Sequence, residues 1–182
     1  MTNTTHTNHP ALRVGMPAPQ FKTMAYQGGD FKEVSLKDFK GKWVCLFFYP
    51  LDFTFVCPTE IRGFAEQAAK FKELNCEIIG ASTDSEHSHK AWFERDLKEV
   101  RFPVLADTAH FVSRDYNVLI EDKGITLRGT FLIDPQGTLQ YMSVNALGVG
   151  RSVDEVLRTL SALQTGELCP VDWKPGKATI KK

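Results

Sequence analysis

The chain has 182 residues, of which 42% are hydrophobic, and its 22 lysines and arginines equal its 22 aspartates and glutamates in number. This length and apolar content suit one domain with one sizeable core. The neutral balance excludes the strong electric field with which proteins recruit nucleic acids or anionic membranes, so we expect neither as a partner. No apolar stretch is long enough to span a bilayer, and the first residues lack the apolar core of a signal peptide. We therefore expect a cytoplasmic protein with a flexible N-terminus over residues 1–13.

The first half of the chain predicts a hairpin followed by alternating strands and helices. Residues 20–25 and 31–35 flank Gly28-Gly29 as two strands would flank a turn. The run from Trp43 to Tyr49 is apolar and aromatic throughout, which is typical of a strand buried on both faces. Apolar residues at spacings of three and four predict an amphipathic helix from Pro58 to about Leu74.

The second half continues the alternation and then changes to a hairpin. A strand at 76–82 and a helix at 85–100 are followed by an apolar strand at 102–106 and a short helix near 109–116. Residues 130–134 and 139–144 flank Pro135-Gln136-Gly137, a turn signal. Ser152 is the predicted cap of a last helix that ends near Gly166. The order predicts an α/β fold with a central mixed sheet flanked by helices.

Cys57 lies where the buried strand gives way to a helix. Pro58 suits the first helical position, and Glu60 is placed where its side chain can reach back to the helix cap, so Cys57 is the predicted N-cap. The positive end of the helix dipole favours a thiolate there, which is a nucleophile. Thr54 can turn its hydroxyl toward the sulfur or its substrate, and Pro50 can shield the pocket from water. Alternatively, Cys57 is a small apolar residue at a buried turn, and Thr54 and Pro50 are ordinary turn residues.

Two separate motifs resemble those of a known family. The segment from Phe48 to Glu60 resembles the Pro-x-x-x-Thr-x-x-Cys active-site segment of the peroxiredoxins. The tail segment Gly166-Glu167-Leu168-Cys169-Pro170, followed by Trp173-Lys174-Pro175-Gly176, resembles the resolving-cysteine motif of the typical two-cysteine, alkyl hydroperoxide reductase C-like branch. The resemblance extends from about Val14 to Ile180. It implies a thioredoxin-like peroxidase domain over 14–165, with an N-terminal hairpin, and an extended C-terminal tail over 166–182.

The resemblance also implies roles for particular residues. Arg128 matches the active-site arginine of the family. Interpreted without the resemblance, Arg128 is a cation at the protein surface. Glu60 and Arg151 match a pair that orients the site, the alternative being a helix-terminal ion pair at the surface. Cys57 matches the peroxidatic cysteine, and Cys169 the resolving cysteine, which in the family attacks Cys57 of the partner in an antiparallel homodimer. Five such dimers are expected to close into a ring.

The function implied is that of a thiol-dependent peroxidase, which reduces hydrogen peroxide and organic hydroperoxides through a cysteine sulfenic acid. Thioredoxin or a flavin-containing disulfide reductase is the expected electron donor, and no bound cofactor or metal is expected. A ring-forming holdase chaperone is the alternative. A general disulfide oxidoreductase is less favoured, because position 60 is glutamate and the chain has no Cys-x-x-Cys pair.

The remaining cysteines and histidines are expected to take no part in this chemistry. Cys45 and Cys76 lie in predicted strands and are expected to be buried and inert. His87 and His89 match no zinc-ligand spacing, and both are expected to face solvent. The chain lacks the Gly-Gly-Leu-Gly insertion and the Tyr-Phe tail of peroxiredoxins that excess peroxide inactivates, which predicts resistance to overoxidation.

Overall fold

The computed structural model describes residues 12–181, so that most of the predicted flexible N-terminus lies outside it. Its nine strands within that range are β1 (Lys22–Gln27), β2 (Asp30–Ser35), β3 (Trp43–Phe48), β4 (Cys76–Ser82), β5 (Val104–Ala106), β6 (Leu119–Ile120), β7 (Ile125–Thr126), β8 (Arg128–Ile133) and β9 (Leu139–Asn145). Its α-helices there are α1 (Cys57–Glu66), α2 (Ala68–Glu73), α3 (Glu86–Asp96), α4 (Phe111–Asp115) and α5 (Val153–Thr165), and a 3-10 helix covers Leu36–Phe39.

Seven strands form one mixed sheet in the order β2-β1-β5-β4-β3-β8-β9. The three central strands β5, β4 and β3 are parallel, as expected where helices connect consecutive strands. The hairpin β1–β2 joins one side in antiparallel pairing, and β8 and β9 join the other side in the same way. The prediction of a central mixed sheet flanked by helices is therefore confirmed, including the N-terminal hairpin.

The central strand β3 separates two hydrophobic clusters. Cys45, Phe47 and Tyr49 face the cluster that also takes side chains from α1, α3 and α5, while Leu46 and Phe48 face the cluster that contains the buried end of α4. All of these side chains are fully buried. The continuous apolar run in the sequence thus reflects burial on both faces. The end of this apolar run also marks the end of β3, where the loop that leads to the candidate site begins.

The structure shortens two of the predicted helices. Gln67 leaves helical geometry (φ −95°, ψ 2°) and divides the predicted 58–74 helix into α1 and α2. The apolar periodicity runs through this break, because Phe71 on α2 packs into the same cluster as Phe64 on α1. Helix α3 ends at Asp96, and the buried Leu97 and Val100 belong to the irregular segment that follows. Their spacing resembles that of a helix, which explains the longer prediction.

The small ribbon β6–β7 was not predicted, since two-residue strands leave no periodic signal. The last helix agrees with its predicted caps. The Ser152 side chain accepts a hydrogen bond from the backbone N–H of Glu155, and Gly166 ends α5 in the left-handed conformation (φ 64°) that glycine adopts freely. None of the helices within residues 12–181 has the length and apolar character needed to cross a membrane.

The segment after α5 folds back on its own chain. Leu168 and Ile180 pair as an isolated antiparallel bridge, and the Trp173 side chain is buried. The Arg158 side chain on α5 donates a hydrogen bond of 3.1 Å to the Trp173 carbonyl. The bridge lies within the tail, and the Arg158 hydrogen bond attaches the tail that carries Cys169 to helix α5.

Candidate active site

Cys57 lies at the start of α1, directly after the loop that leaves β3. It is the first helical residue, whereas Val56 holds the cap position, so the prediction that Cys57 is the N-cap is wrong by one residue. Val56 has no side chain that can cap the helix, because valine carries no hydrogen-bonding group. The thiol still lies in the first turn, where the helix dipole favours an anion. Only 1% of the Cys57 surface is exposed.

Arg128 brings a positive charge to the sulfur. It begins β8, and its Nη1 atom lies 3.5 Å from the Cys57 Sγ atom. Its Nε donates a hydrogen bond of 2.8 Å to the Leu147 carbonyl, which fixes the direction of the guanidinium plane. The side chain is 4% exposed. The alternative of a surface cation therefore does not describe Arg128.

Glu60 lies between Arg128 and Arg151 and binds both. Its Oε2 atom accepts from Arg128 Nη1 (2.5 Å) and from Arg151 Nη2 (2.9 Å). Its Oε1 atom accepts from the Nε (2.8 Å) and the backbone N–H (2.9 Å) of Arg151. All three side chains are nearly inaccessible to solvent, so the alternative of an exposed ion pair is wrong. The Glu60 carboxylate does not reach back to the start of α1, because the two arginines occupy its oxygens.

The electrostatic balance of this trio keeps Glu60 ionised. Burial by itself would raise the pKa of Glu60, but the hydrogen bonds and charge of Arg151, together with the charge of Arg128, lower it below its ordinary value. Arg151 is also held by the Phe48 and Gly129 carbonyls, each at 2.8 Å, and its guanidinium carbon lies 5.2 Å from the centre of the Phe47 ring. Two cations and one carboxylate leave a net positive charge beside the thiol.

Pro50 and Thr54 lie in the loop between β3 and α1. Pro50 is buried, and Thr54 is partly buried. The Thr54 hydroxyl donates a hydrogen bond of 2.9 Å to the Leu51 carbonyl. Its single proton is therefore directed at the loop backbone, and the oxygen lone pairs remain able to accept a hydrogen bond.

The three other cysteines occupy two different environments. Cys45 and Cys76 are buried, and burial raises the pKa of the Cys45 thiol to about 12 and that of Cys76 further still, so both stay protonated at neutral pH. Cys169 is only partly buried and lies just past the end of α5, where its Sγ atom is 3.5 Å from the Thr165 Oγ1 atom. All four cysteines are free thiols.

A buried polar cluster beside the loop was not predicted. The His89 Nδ1 atom lies 2.8 Å from Asp52 Oδ2, and both side chains are essentially inaccessible. The expectation that His89 faces solvent is therefore wrong, while His87 is exposed as expected. A signal for a polar cluster here did exist, since β4 ends at Ser82 and Asp84 follows shortly after, at the end of the sheet where β3 also ends. Within residues 12–181 no three His, Cys, Asp or Glu side chains are grouped as metal ligands would be.

The chain is similar to known proteins over most of its length. The model of the AhpC/TSA family matches residues 14–142. Peroxiredoxin prdx-2 of Caenorhabditis elegans is 55% identical over 177 residues, which cover 92% of this chain and 88% of that protein. Thioredoxin peroxidase of Echinococcus granulosus is 52% identical over 180 residues, covering 94% and 93% of the two chains. The crystal structure of reduced Plasmodium vivax 2-Cys peroxiredoxin superposes with a TM-score of 0.89 at 43% identity, covering 94% of each chain. The chain belongs to the AhpC/TSA family and is a peroxiredoxin.

Proposed function

We propose that this peroxiredoxin reduces hydrogen peroxide and organic hydroperoxides with Cys57 as the peroxidatic cysteine and Cys169 as the resolving cysteine. Thiol-dependent peroxidase activity follows from its family and relatives. The observation that supports the residue assignment best is the 3.5 Å approach of Arg128 to Cys57 in a site closed to bulk water. A buried cation beside a helix-start thiol stabilises the thiolate, which is the form that attacks peroxides.

In the first step the Cys57 thiolate attacks one oxygen of the peroxide. A sulfur–oxygen bond forms, the oxygen–oxygen bond breaks, and the second oxygen leaves as an alkoxide or hydroxide that takes up a proton, so that Cys57 becomes a sulfenic acid. Arg128 is placed to donate to the departing oxygen, because its fork of N–H groups reaches the sulfur. Glu60 and Arg151 hold Arg128 in place, Thr54 orients the peroxide, and the buried Pro50 excludes water.

In the second step Cys169 of the partner subunit condenses with the sulfenic acid. The new sulfur–sulfur bond displaces the sulfenic oxygen, which leaves as water. The two residues must meet at the protein surface, although Cys57 is 1% exposed. Two features support a local opening: Val56 leaves the first turn of α1 without a side-chain cap, and Cys169 is only partly buried in the tail after α5.

The arrangement of the sheet supports an antiparallel homodimer. Strand β9 is at one edge of the sheet, so half of its backbone N–H and C=O groups have no strand partner within residues 12–181. Met142 and Val144 on this strand are 36% and 40% exposed. A second copy can pair with β9 and cover both. A second apolar surface at Phe53 (48% exposed) and Phe55 (94% exposed) flanks Thr54 and supports the further association of five dimers into a ring.

Thioredoxin or a flavin-containing disulfide reductase restores the two thiols after each turnover. A cytoplasmic location fits four free cysteines, because that compartment keeps thiols reduced. Residues 14–165 form the peroxidase domain, and residues 166–182 form the tail that carries the resolving sulfur.

Peroxide consumption with each candidate reductant tests the catalytic assignment. The wild-type protein is expected to turn over hydrogen peroxide with thioredoxin, its reductase and NADPH, or with the flavoprotein reductase, and Cys57→Ser is expected to abolish turnover. Cys169→Ser is expected to keep the first stoichiometric reduction of peroxide and to lose turnover. Retention of turnover by Cys57→Ser would refute the assignment of Cys57.

A further inference from the structure

A buried polar cluster lies between the active-site loop and helix α3, and none of its residues has a role in the steps above. Asp52 is at its centre. The Asp52 carboxylate accepts hydrogen bonds from the Tyr49 hydroxyl and the Ser88 hydroxyl, each at 2.8 Å, and pairs with His89 at 2.8 Å. The loop that leads to Cys57 is therefore anchored to α3 through the side chain of Asp52.

The backbone of the same residue is held from another direction. The Asp52 N–H donates a hydrogen bond of 2.9 Å to the Asp84 Oδ2 atom. That oxygen also accepts from the Ser82 hydroxyl at 2.7 Å, and the Asp84 N–H donates to the Ser82 oxygen at 3.1 Å. Asp84 is thus fixed by the end of β4, and it fixes the N–H of one loop peptide.

That peptide unit joins Leu51 to Asp52, and its other polar group is the Leu51 carbonyl. In a trans peptide the C=O and the N–H point to opposite sides of one plane. The Leu51 carbonyl accepts the Thr54 hydroxyl proton at 2.9 Å. One rigid plane therefore has the Asp84 carboxylate on one side and the Thr54 hydroxyl on the other.

This arrangement determines what Thr54 can offer to a substrate. A hydroxyl group has one proton to donate and two lone pairs that accept. An N–H bonded to a carboxylate polarises its peptide, which makes the carbonyl on the far side a stronger acceptor. The Thr54 proton is consequently held by Leu51, and the Thr54 oxygen has only its lone pairs left to offer, so it can act toward a substrate as an acceptor. The group that a hydroperoxide can donate is its own O–H.

We propose that Asp84 is a positioning residue, which acts through the Leu51–Asp52 peptide to hold Thr54 as the hydrogen-bond acceptor for the O–H of the peroxide. The inference rests on the proposed function, because it deepens the role of Thr54 at the Cys57 site. Asp84 does not touch the substrate. Its effect on the reaction passes entirely through Thr54.

The environment of Asp84 is unfavourable for a carboxylate that serves only the fold. Burial and the neighbouring charge of Asp52 raise the pKa of Asp84 above its ordinary value, so the ionised group costs stability at neutral pH. Ionisable groups kept in such positions are concentrated at functional sites. A structural role and a positioning role nevertheless predict different kinetics, since only the second requires an intact Thr54.

A double-mutant cycle separates the two roles. The measurement is the stopped-flow rate constant at pH 7 for hydrogen peroxide with the pre-reduced full-length protein, for wild type, Asp84→Ala, Thr54→Val and the double variant. We expect Asp84→Ala to slow the reaction about tenfold, because this is the effect on a rate of losing one hydrogen bond to a charged group. In the Thr54→Val background the same change is expected to cost less than about twofold, because the hydroxyl that it positions is gone.

The conservative variant Asp84→Asn is the matched control, since its side-chain oxygen can still accept from the Asp52 N–H. It is expected to restore the rate to within about threefold of wild type. A full tenfold loss in the Thr54→Val background, or no loss in wild type, would overturn the proposal. If Asp84→Ala lacks the native near-ultraviolet circular dichroism, Asp84→Glu replaces it, because the added methylene displaces the acceptor. Misfolding of both variants would assign Asp84 to the fold and also overturn the proposal.

The Cys57→Ser variant distinguishes a failure of the proposed function from a failure of the role of Asp84. If Cys57→Ser consumed peroxide at the wild-type rate, the proposed function would fail whatever the cycle showed. If peroxide reacts through Cys57 and the Asp84 and Thr54 effects are simply additive, the proposed function stands and only the role of Asp84 fails.

Discussion

Replacing Glu60 with glutamine is expected to destabilise the protein strongly while changing the volume of the side chain very little. Glu60 accepts four hydrogen bonds from Arg128 and Arg151, two on each carboxylate oxygen. In Glu60→Gln one oxygen becomes an NH₂ group, so donors face donors on that side, and the two buried guanidinium groups lose the carboxylate that they share. The loss of one member of a buried ion pair costs about 3–5 kcal/mol. For a chain of this size that lowers the melting temperature by roughly 6–20 °C.

The expected pH dependence has a definite sign. The folded state lowers the pKa of Glu60 below its ordinary value of 4.5, so the carboxylate contributes its full stabilisation above that pH. The contribution disappears as the pH falls through the lower folded-state pKa. The difference in stability between wild type and Glu60→Gln is therefore expected to be complete at pH 7 and to shrink in acid.

The assay is urea denaturation of the reduced protein at equal subunit concentration, with Glu155→Gln as the matched control. Glu155 pairs with Arg158 through two short hydrogen bonds, but its side chain is 48% exposed, so its removal is expected to cost less than about 1 kcal/mol. Equal losses in the two variants, or a loss below about 1 kcal/mol in Glu60→Gln, would refute the account of the buried trio.

Three further predictions concern the chemistry. Arg128→Lys keeps the charge but loses the planar fork, so the stopped-flow rate with hydrogen peroxide is expected to fall about a hundredfold, and an unchanged rate would contradict its role. Cys45→Ala and Cys76→Ala are expected to leave peroxide turnover unchanged, because both thiols are buried and protonated. After several equivalents of hydrogen peroxide, mass spectrometry of Cys57 is expected to show mainly disulfide, because the segment between the end of α3 at Asp96 and the start of β5 at Val104 lacks the Gly-Gly-Leu-Gly insertion of peroxiredoxins that excess peroxide inactivates. A dominant sulfinic product would contradict that expectation.

Patterns that depend on burial and on local backbone chemistry made most of the fold predictable. The run from Trp43 to Tyr49 predicted the central strand, because a strand buried on both faces must be apolar at every position. Ser152 and Gly166 predicted both ends of α5, because a serine cap and a left-handed glycine satisfy backbone groups within one turn. The break at Gln67 escaped prediction, since the amphipathic spacing is the same on both sides of it.

The same distinction applies to the candidate site: a residue defined by its local sequence was predictable from that sequence, and residues defined by contacts between distant positions were not. Cys57 was found from its local pattern of strand, proline and helix, whereas Arg128 and Arg151 were assigned only through family resemblance. Arg151 lies 91 positions from Glu60 in the chain, and no periodicity reports such a contact. His89 was misassigned for the same reason. Its burial depends on Asp52 and on the Leu105 carbonyl, both distant in sequence and near in the fold.

The pairing of Cys57 with Cys169 across two subunits is the central claim, and non-reducing gel electrophoresis tests it most directly. The pre-reduced protein receives one equivalent of hydrogen peroxide and is compared with Cys57→Ser, Cys169→Ser and a co-expressed mixture of the two. We predict a covalent dimer in wild type, none in either single variant, and a covalent dimer again in the mixture, where one chain supplies each sulfur. A wild-type monomer that has lost two thiols would show an intrachain disulfide, and a monomer that keeps all its thiols would contradict the peroxidase mechanism itself.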